Sequence, residues 1–152
     1  MPDTGHPAER RLVLRLLNHW REIAGERAMP SFADLRAEAM PDMWPHCYVL
    51  ELKAPPAPPL LKIIGASFAD EAGLDLIGKP VSSLPADTLI RNASRYWDMV
   101  MDKRVPVSLG GEFKHRGGHL VLYRSIILPL SANGAGPDHL LGGANCRVVV
   151  VP

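Results

Sequence analysis

The chain has only two cysteines, Cys47 and Cys146, in 152 residues. Neither has a neighbouring cysteine at metal-ligand spacing, which excludes a thiolate-held zinc or iron–sulfur centre. No apolar run reaches membrane-spanning length. Met1 to His6 has neither a basic start nor an apolar core, so no secretory signal is read there. Free thiols in a cytoplasmic, reducing setting are therefore expected. Charge of one sign is also missing. The 17 Lys and Arg stand against 16 Asp and Glu, a formal net charge of +1, and no strong field draws such a chain to nucleic acid or a membrane. Gly110-Gly111, Gly117-Gly118 and Gly142-Gly143 lack the following helix and Lys-Ser/Thr of a phosphate loop. No Gly-x-Ser-x-Gly elbow is present. His115 and His119 flank a turn without a third ligand, so no metal site is assigned.

What is present is a 47% apolar composition and a length that suits one domain with a real core. Leu12, Val13, Leu16, Leu17, Trp20 and Ile23 recur at helical spacing between Ala8 and Ala24, and Gly25 ends that helix. A second helix is expected over Phe32 to Ala39, capped by Ser31 and stopped by Pro41. His46 to Leu52 and Leu60 to Ile64 read as strands around the stiff loop Lys53 to Pro59. Ser67 can cap a short helix over Phe68 to Ala72, and Gly78-Lys79-Pro80 is a tight turn. One longer helix is expected over Asp87 to Arg104, with Ile90, Ala93, Trp97, Val100 and Met101 on its apolar face. Val105 to Lys114, His119 to Leu130 and His139 to Val151 read as three further strands, joined by glycine-bearing turns.

The order strand, short helix, Leu-Ile-Gly-Lys turn at Leu60 to Pro80 resembles the start of a PAS domain. His19-Trp20, Met29-Pro30-Ser31, Asp34, Pro41 and Pro45-His46 follow in the order seen in a diverged bacterial PAS subfamily. The resemblance runs from about Leu12 to Val150. Arg124 stands where that subfamily often has Glu. The resemblance implies an α/β (α+β) fold: a five-stranded antiparallel sheet with helices on one face, plus an extra N-terminal helix. Residues 1–45 would form that helical extension and 46–152 the core domain.

The resemblance also implies an apolar cavity between the long helix and the sheet. Trp97, Met101, Phe113 and Tyr123 are its candidate lining residues, although the same side chains could simply fill the core. Asn145-Cys146-Arg147 matches the local letters of the flavin-binding LOV group of PAS domains. It lies in the last strand, however, and no Phe-Leu-Gln follows. The Asp87 to Arg104 segment holds no histidine to ligate haem. Neither flavin nor haem is therefore expected. The chain is expected to carry no effector segment, which implies a stand-alone sensory or signalling module. It would act by protein–protein contact, with a small ligand able to bias it. A small enzyme and a purely structural dimerisation module are the alternatives. Leu12, Leu16, Trp20 and Ile23 form an apolar seam that predicts a homodimer built on the N-terminal helix.

Overall fold

The computed structural model describes residues 7–54, 57–68, 76–115 and 117–149. Helix α1 (Pro7–Ala24) leads into single 3-10 turns at Phe32–Asp34, Ala37–Ala39 and Trp44–His46. Strands β1 (Cys47–Glu51) and β2 (Leu60–Ile64) follow, then the short helices α2 (Leu89–Ser94) and α3 (Trp97–Lys103). Strands β3 (Val107–Lys114), β4 (Leu120–Leu130) and β5 (His139–Val149) complete the chain. The five strands form one antiparallel sheet in the order β2-β1-β5-β4-β3. This is the sheet that the sequence predicts.

Alternation along the strands sorts two cores, one on each face. Val121, Tyr123 and Ile127 of β4 join Tyr48, Leu50, Leu140 and Ala144 on an inner face, covered by α2 and α3 through Ile90, Ala93 and Val100. Ile126, Leu128 and Leu130 of β4 join Cys47, Val49 and Leu141 on the outer face. Leu12, Val13, Leu16 and Trp20 of α1 cover that face, together with Met29, Met40 and Met43. Trp20 is fixed by a 2.9 Å hydrogen bond from its indole Nε1 to the Pro129 carbonyl. Phe32 docks on the same face, stacked on His139 at 4.7 Å with Lys62 over its ring.

Two expected helices differ. The segment Phe32 to Ala39 makes two 3-10 turns instead of one helix. The Asp34 carboxylate accepts from the Ser31 amide at 2.8 Å, and Leu35 and Arg36 are extended. The Asp87 to Arg104 segment breaks at Arg95–Tyr96. Tyr96 leaves the helical region (φ −103°, ψ 25°), and Ser94 Oγ donates to the Ile90 carbonyl at 2.6 Å. The helix expected over Phe68 to Ala72 lies, beyond Phe68, outside the described residues, as do Pro55, Pro56 and Arg116.

Candidate functional site

The inner face is built around the chain's three tyrosines. Tyr48 on β1, Tyr96 after α2 and Tyr123 on β4 are 0%, 5% and 4% exposed. Each brings a hydroxyl that must find a partner in a dry interior. Tyr48 Oη donates to the Ala93 carbonyl at 3.2 Å, and Tyr123 Oη to the Asn92 carbonyl at 3.4 Å. Those carbonyls belong to the last turn of α2, where a helix leaves acceptors without intrahelical donors. Tyr96 Oη shares a 2.8 Å hydrogen bond with Ser125 Oγ, which reaches the Leu109 carbonyl at 3.2 Å. The break in the expected long helix is thus held by tyrosine hydroxyls from the sheet and by Tyr96 itself.

Two of the rings need glycine beneath them. Tyr123 lies over its cross-strand partner Gly111, where an added Cβ would sit 2.9 Å from the hydroxyl oxygen. Tyr48 lies over Gly142, its partner on β5, where an added Cβ would come within 2.0 Å of ring carbon Cζ. The neighbouring Gly143 points to the other face. There Leu16 of α1 takes the space, its Cδ2 2.6 Å from the point that a Cβ would occupy. Consecutive glycines on β5 therefore let an inner-face tyrosine and an outer-face helix residue both press onto one strand.

Burial pushes the Tyr48 hydroxyl well above its ordinary value of 10.0, and Tyr96 is raised for the same reason, against the pull of its bond to Ser125. Both stay protonated near neutrality. Cys47, buried on the outer face beside the Met43 carbonyl, is pushed up to about 12 by desolvation. Cys146 is half-buried on the inner face opposite Tyr123, so the two cysteines lie on opposite sides of the sheet.

Of the predicted lining residues, Phe113 and Tyr123 meet in an edge-to-face pair at 6.0 Å inside the core. Trp97 and Met101 are half-buried and pack on the rim of that core. Trp97 also lines a shallow surface cleft of about 160 Å³ with Arg91, Ser94 and Arg95. Tyr96, one residue earlier, takes the inward position. In the predicted dimer seam, Leu12, Leu16 and Trp20 are 6%, 0% and 7% exposed against the chain's own sheet, and Ile23 is half-buried. A two-fold contact centred on Leu16 would require α1 to leave the sheet. Tyr48, Tyr96 and Gly142 were not singled out from the sequence. The available signal was the Gly-Gly pair inside a strand, which marks close approach of something bulky.

The family described as PAS domain matches residues 8–144. The chain belongs to the PAS domain family. No curated protein matches it. Among solved structures, a light-oxygen-voltage domain described with a flavin analogue is similar at TM-score 0.53 and 10% identity, over 78% of this chain and 86% of that one. The dark structure of the blue-light photoreceptor Aureochrome1 LOV is similar at TM-score 0.50 and 12% identity, over 75% and 82%. The Rhodobacter sphaeroides LOV protein is similar at TM-score 0.49 and 12% identity, over 66% of this chain, which spans 58% of that protein's length. At these identities the likeness is one of fold, and the fold is that of a PAS-type sensory domain. Among the described residues no helix of this PAS chain is long and apolar enough to cross a membrane.

These neighbours correct one expectation. The sequence argued against flavin, yet the two neighbours of TM-score 0.50 or more named above are LOV domains, one of them described with a flavin analogue. The position of Asn145-Cys146-Arg147 in β5 therefore does not exclude a flavin. In this chain a flat ring system on the inner face would meet the rings of Tyr48 and Tyr123, whose hydroxyls are bonded to Ala93 and Asn92. The described residues do not form a cradle without moving those rings, and no step is derived through a flavin.

Proposed function

We propose that this PAS domain is a sensory module rather than an enzyme, working in the cytoplasm by protein–protein contact. Its inner face, with Trp97, Met101, Phe113, Tyr123 and also Tyr48, takes the input. Helix α1, within the 1–45 extension of the 46–152 core, passes it on, and a second copy of the chain is the first partner to test. The observation that carries this reading is the pair Gly142-Gly143. Tyr48 and Leu16 press on adjacent residues of β5 from opposite faces, so a ligand that moves the tyrosine shifts the strand under α1. The input class is a small, largely apolar molecule, with flavin among those to be tested. Hydroxyls held protonated and already bonded are poor general bases, which speaks for binding over turnover.

The test is native mass spectrometry and a visible absorption spectrum of the purified protein, followed by hydrogen exchange on α1 with the retained molecule present and removed. A retained molecule whose removal changes α1 exchange is the expected result. Turnover of a metabolite panel, or α1 exchange indifferent to the inner face, would overturn the reading.

A further inference from the structure

Where β1, β2 and β5 meet, a group of charged side chains gathers around one histidine. His139 opens β5 and pairs across the sheet with Glu51, the last residue of β1. Lys62 sits in β2 where the β1–β2 register shifts between Val49 and Leu50, so it has no direct partner on β1. Such an irregularity re-aims a side chain, and Lys62 reaches His139 and Glu51 together. Phe32 closes the group from above. It lies in the 3-10 turn between α1 and β1, with its ring stacked on His139 and the Lys62 ammonium 4.2 Å from the ring centre. The His139 side chain is 15% exposed, so water can deliver a proton while its neighbours decide where that proton sits.

The partners fix the tautomer. Nδ1 lies 2.8 Å from the Asp138 carboxylate, and Nε2 lies 3.2 Å from the Lys62 ammonium. A carboxylate only accepts and an ammonium only donates. In this arrangement the ring is therefore neutral, with its proton on Nδ1 and a lone pair on Nε2 that accepts from Lys62. Lys62 also donates to Glu51 Oε2 at 3.3 Å, while Glu51 Oε1 is held by Lys53 at 2.9 Å. Asp34, in the turn of Phe32, is occupied by the Ser31 amide and by Arg27, each at 2.8 Å. Asp138, Glu51 and Lys62 are thus the charges that face the ring. Bonds from Lys53 and Lys62 hold the Glu51 carboxyl below its ordinary value, and the Ser31 amide does the same for Asp34. Both carboxylates stay charged through the pH range in which histidines ordinarily change charge, about 5 to 8.

A proton added at Nε2 breaks this arrangement. The new N–H would face the Lys62 ammonium at 3.2 Å, donor against donor and cation against cation. Glu51 Oε2, 3.7 Å from Nε2, is the acceptor within reach of a small ring movement. The protonated ring therefore closes on Glu51, and Lys62 gives up its place over Phe32. We propose that His139 is a proton-operated latch on the segment that joins α1 to β1. Neutral, it keeps Lys62 over Phe32; protonated, it takes Glu51, expels Lys62 and loosens the turn of Phe32. The latch acts on the outer face and requires no ligand on the inner face.

The test uses the full chain at about pH 7.5 and about pH 5.5, the two sides of the ordinary histidine range. Nitrogen-15 shifts of the imidazole report its protonation. Amide hydrogen exchange, corrected for the intrinsic effect of pH, reports the turn. The amides of Asp34 and Leu35 are the probes, since they bond to the Ser31 and Phe32 carbonyls within it. The expected result is an Nδ1–H tautomer at the higher pH. At the lower pH the ring should be protonated, with Asp34 and Leu35 exchanging about two- to fivefold faster, the scale of one exposed cation–π contact. Lys62→Met keeps the apolar stem and removes the charge at a side chain that is 35% exposed. Its exchange in the turn should not depend on pH. His139→Gln, which takes up no proton, should behave likewise. An Nε2–H tautomer at about pH 7.5 or a ring still neutral at about pH 5.5 would overturn the proposal. So would equal protection of Asp34 and Leu35 at both pH values, or the same acid response in Lys62→Met.

Discussion

The two faces of this sheet solve the same packing problem with different materials. The inner face is aromatic and hydroxyl-bearing: Tyr48, Tyr96, Tyr123, Phe68 and Phe113, with each tyrosine hydroxyl bonded to backbone or to Ser125. The outer face is aliphatic and methionine-rich, with Leu16, Met40, Leu128 and Leu130 almost fully buried and the Trp20 indole as its long-range hydrogen-bonded anchor to β4. A face built on directional bonds holds one arrangement closely, since each misplaced hydroxyl strands a buried polar group. A face of unbranched and aliphatic side chains adapts more readily. This contrast suits an inner face that registers a change and an outer face whose helix can shift in response.

The adjacent glycines Gly142 and Gly143 carry the largest difference between the two faces. Gly142→Ala drives a methyl into the fully buried Tyr48 ring, which has no flexible end to yield. It should cost well over the about 1–3 kcal/mol usual for overpacking and leave little folded protein by circular dichroism. Gly143→Ala crowds only the end of the Leu16 side chain, with the His46 carbonyl and Ile126 at ordinary contact distance. It should stay folded, with a loss of about 1–3 kcal/mol in urea unfolding. Equal losses from the two changes would mean that the faces are equally rigid.

Truncation comes next in size. Leu16→Ala, at a site with no exposure, should cost about 3 kcal/mol in urea unfolding. Trp97→Ala would cost about 3–5 kcal/mol if the ring were fully buried. Its half-buried place on the inner rim lowers the expected loss to about 1–2 kcal/mol. A Trp97→Ala loss larger than that of Leu16→Ala would move Trp97 back into the inner core.

Alkaline pH should separate the faces by a smaller effect. Burial raises Cys47 on the outer face, and Tyr48 and Tyr96 on the inner face, above their ordinary values of 9.0, 10.0 and 10.0. The unfolded chain therefore releases these protons at lower pH than the folded chain. The stability they contribute is whole below about pH 9 and is lost as pH rises through the folded values. Melting temperatures followed from about pH 8 to 11 should fall. Cys47→Ala should remove the onset near 9, and Tyr48→Phe part of the steeper loss above about 10. A flat profile in the unmodified chain would contradict the burial of all three groups.

Strand alternation made the sheet legible in advance, and Leu60–Ile64 is found with the ends that its apolar run indicates. The break between α2 and α3 was not legible. The stripe Ile90, Ala93, Trp97, Val100, Met101 is continuous at helical spacing, and contacts from distant strands, Tyr48 and Tyr123 onto the last carbonyls of α2, add to the local Ser94 bond in ending the helix there. The same long-range contacts hid the site. Tyr96 lay off the expected face, and its partner Ser125 is 29 residues away. The seam of α1 was legible as apolar but not as to what covers it, because Leu16 finds its place only through a glycine on the last strand.

In the proposed function, a change on the inner face reaches α1 through β5. Tyr48→Phe keeps the ring over Gly142 and deletes only the hydroxyl bond to Ala93. The direct measurement is native-state hydrogen exchange of this variant, residue by residue. Altered protection is expected in α2, in β5 around Gly142 and Gly143, and in α1 around Leu16 and Trp20, with β2 unchanged. Altered protection in α2 with α1 unchanged would contradict it.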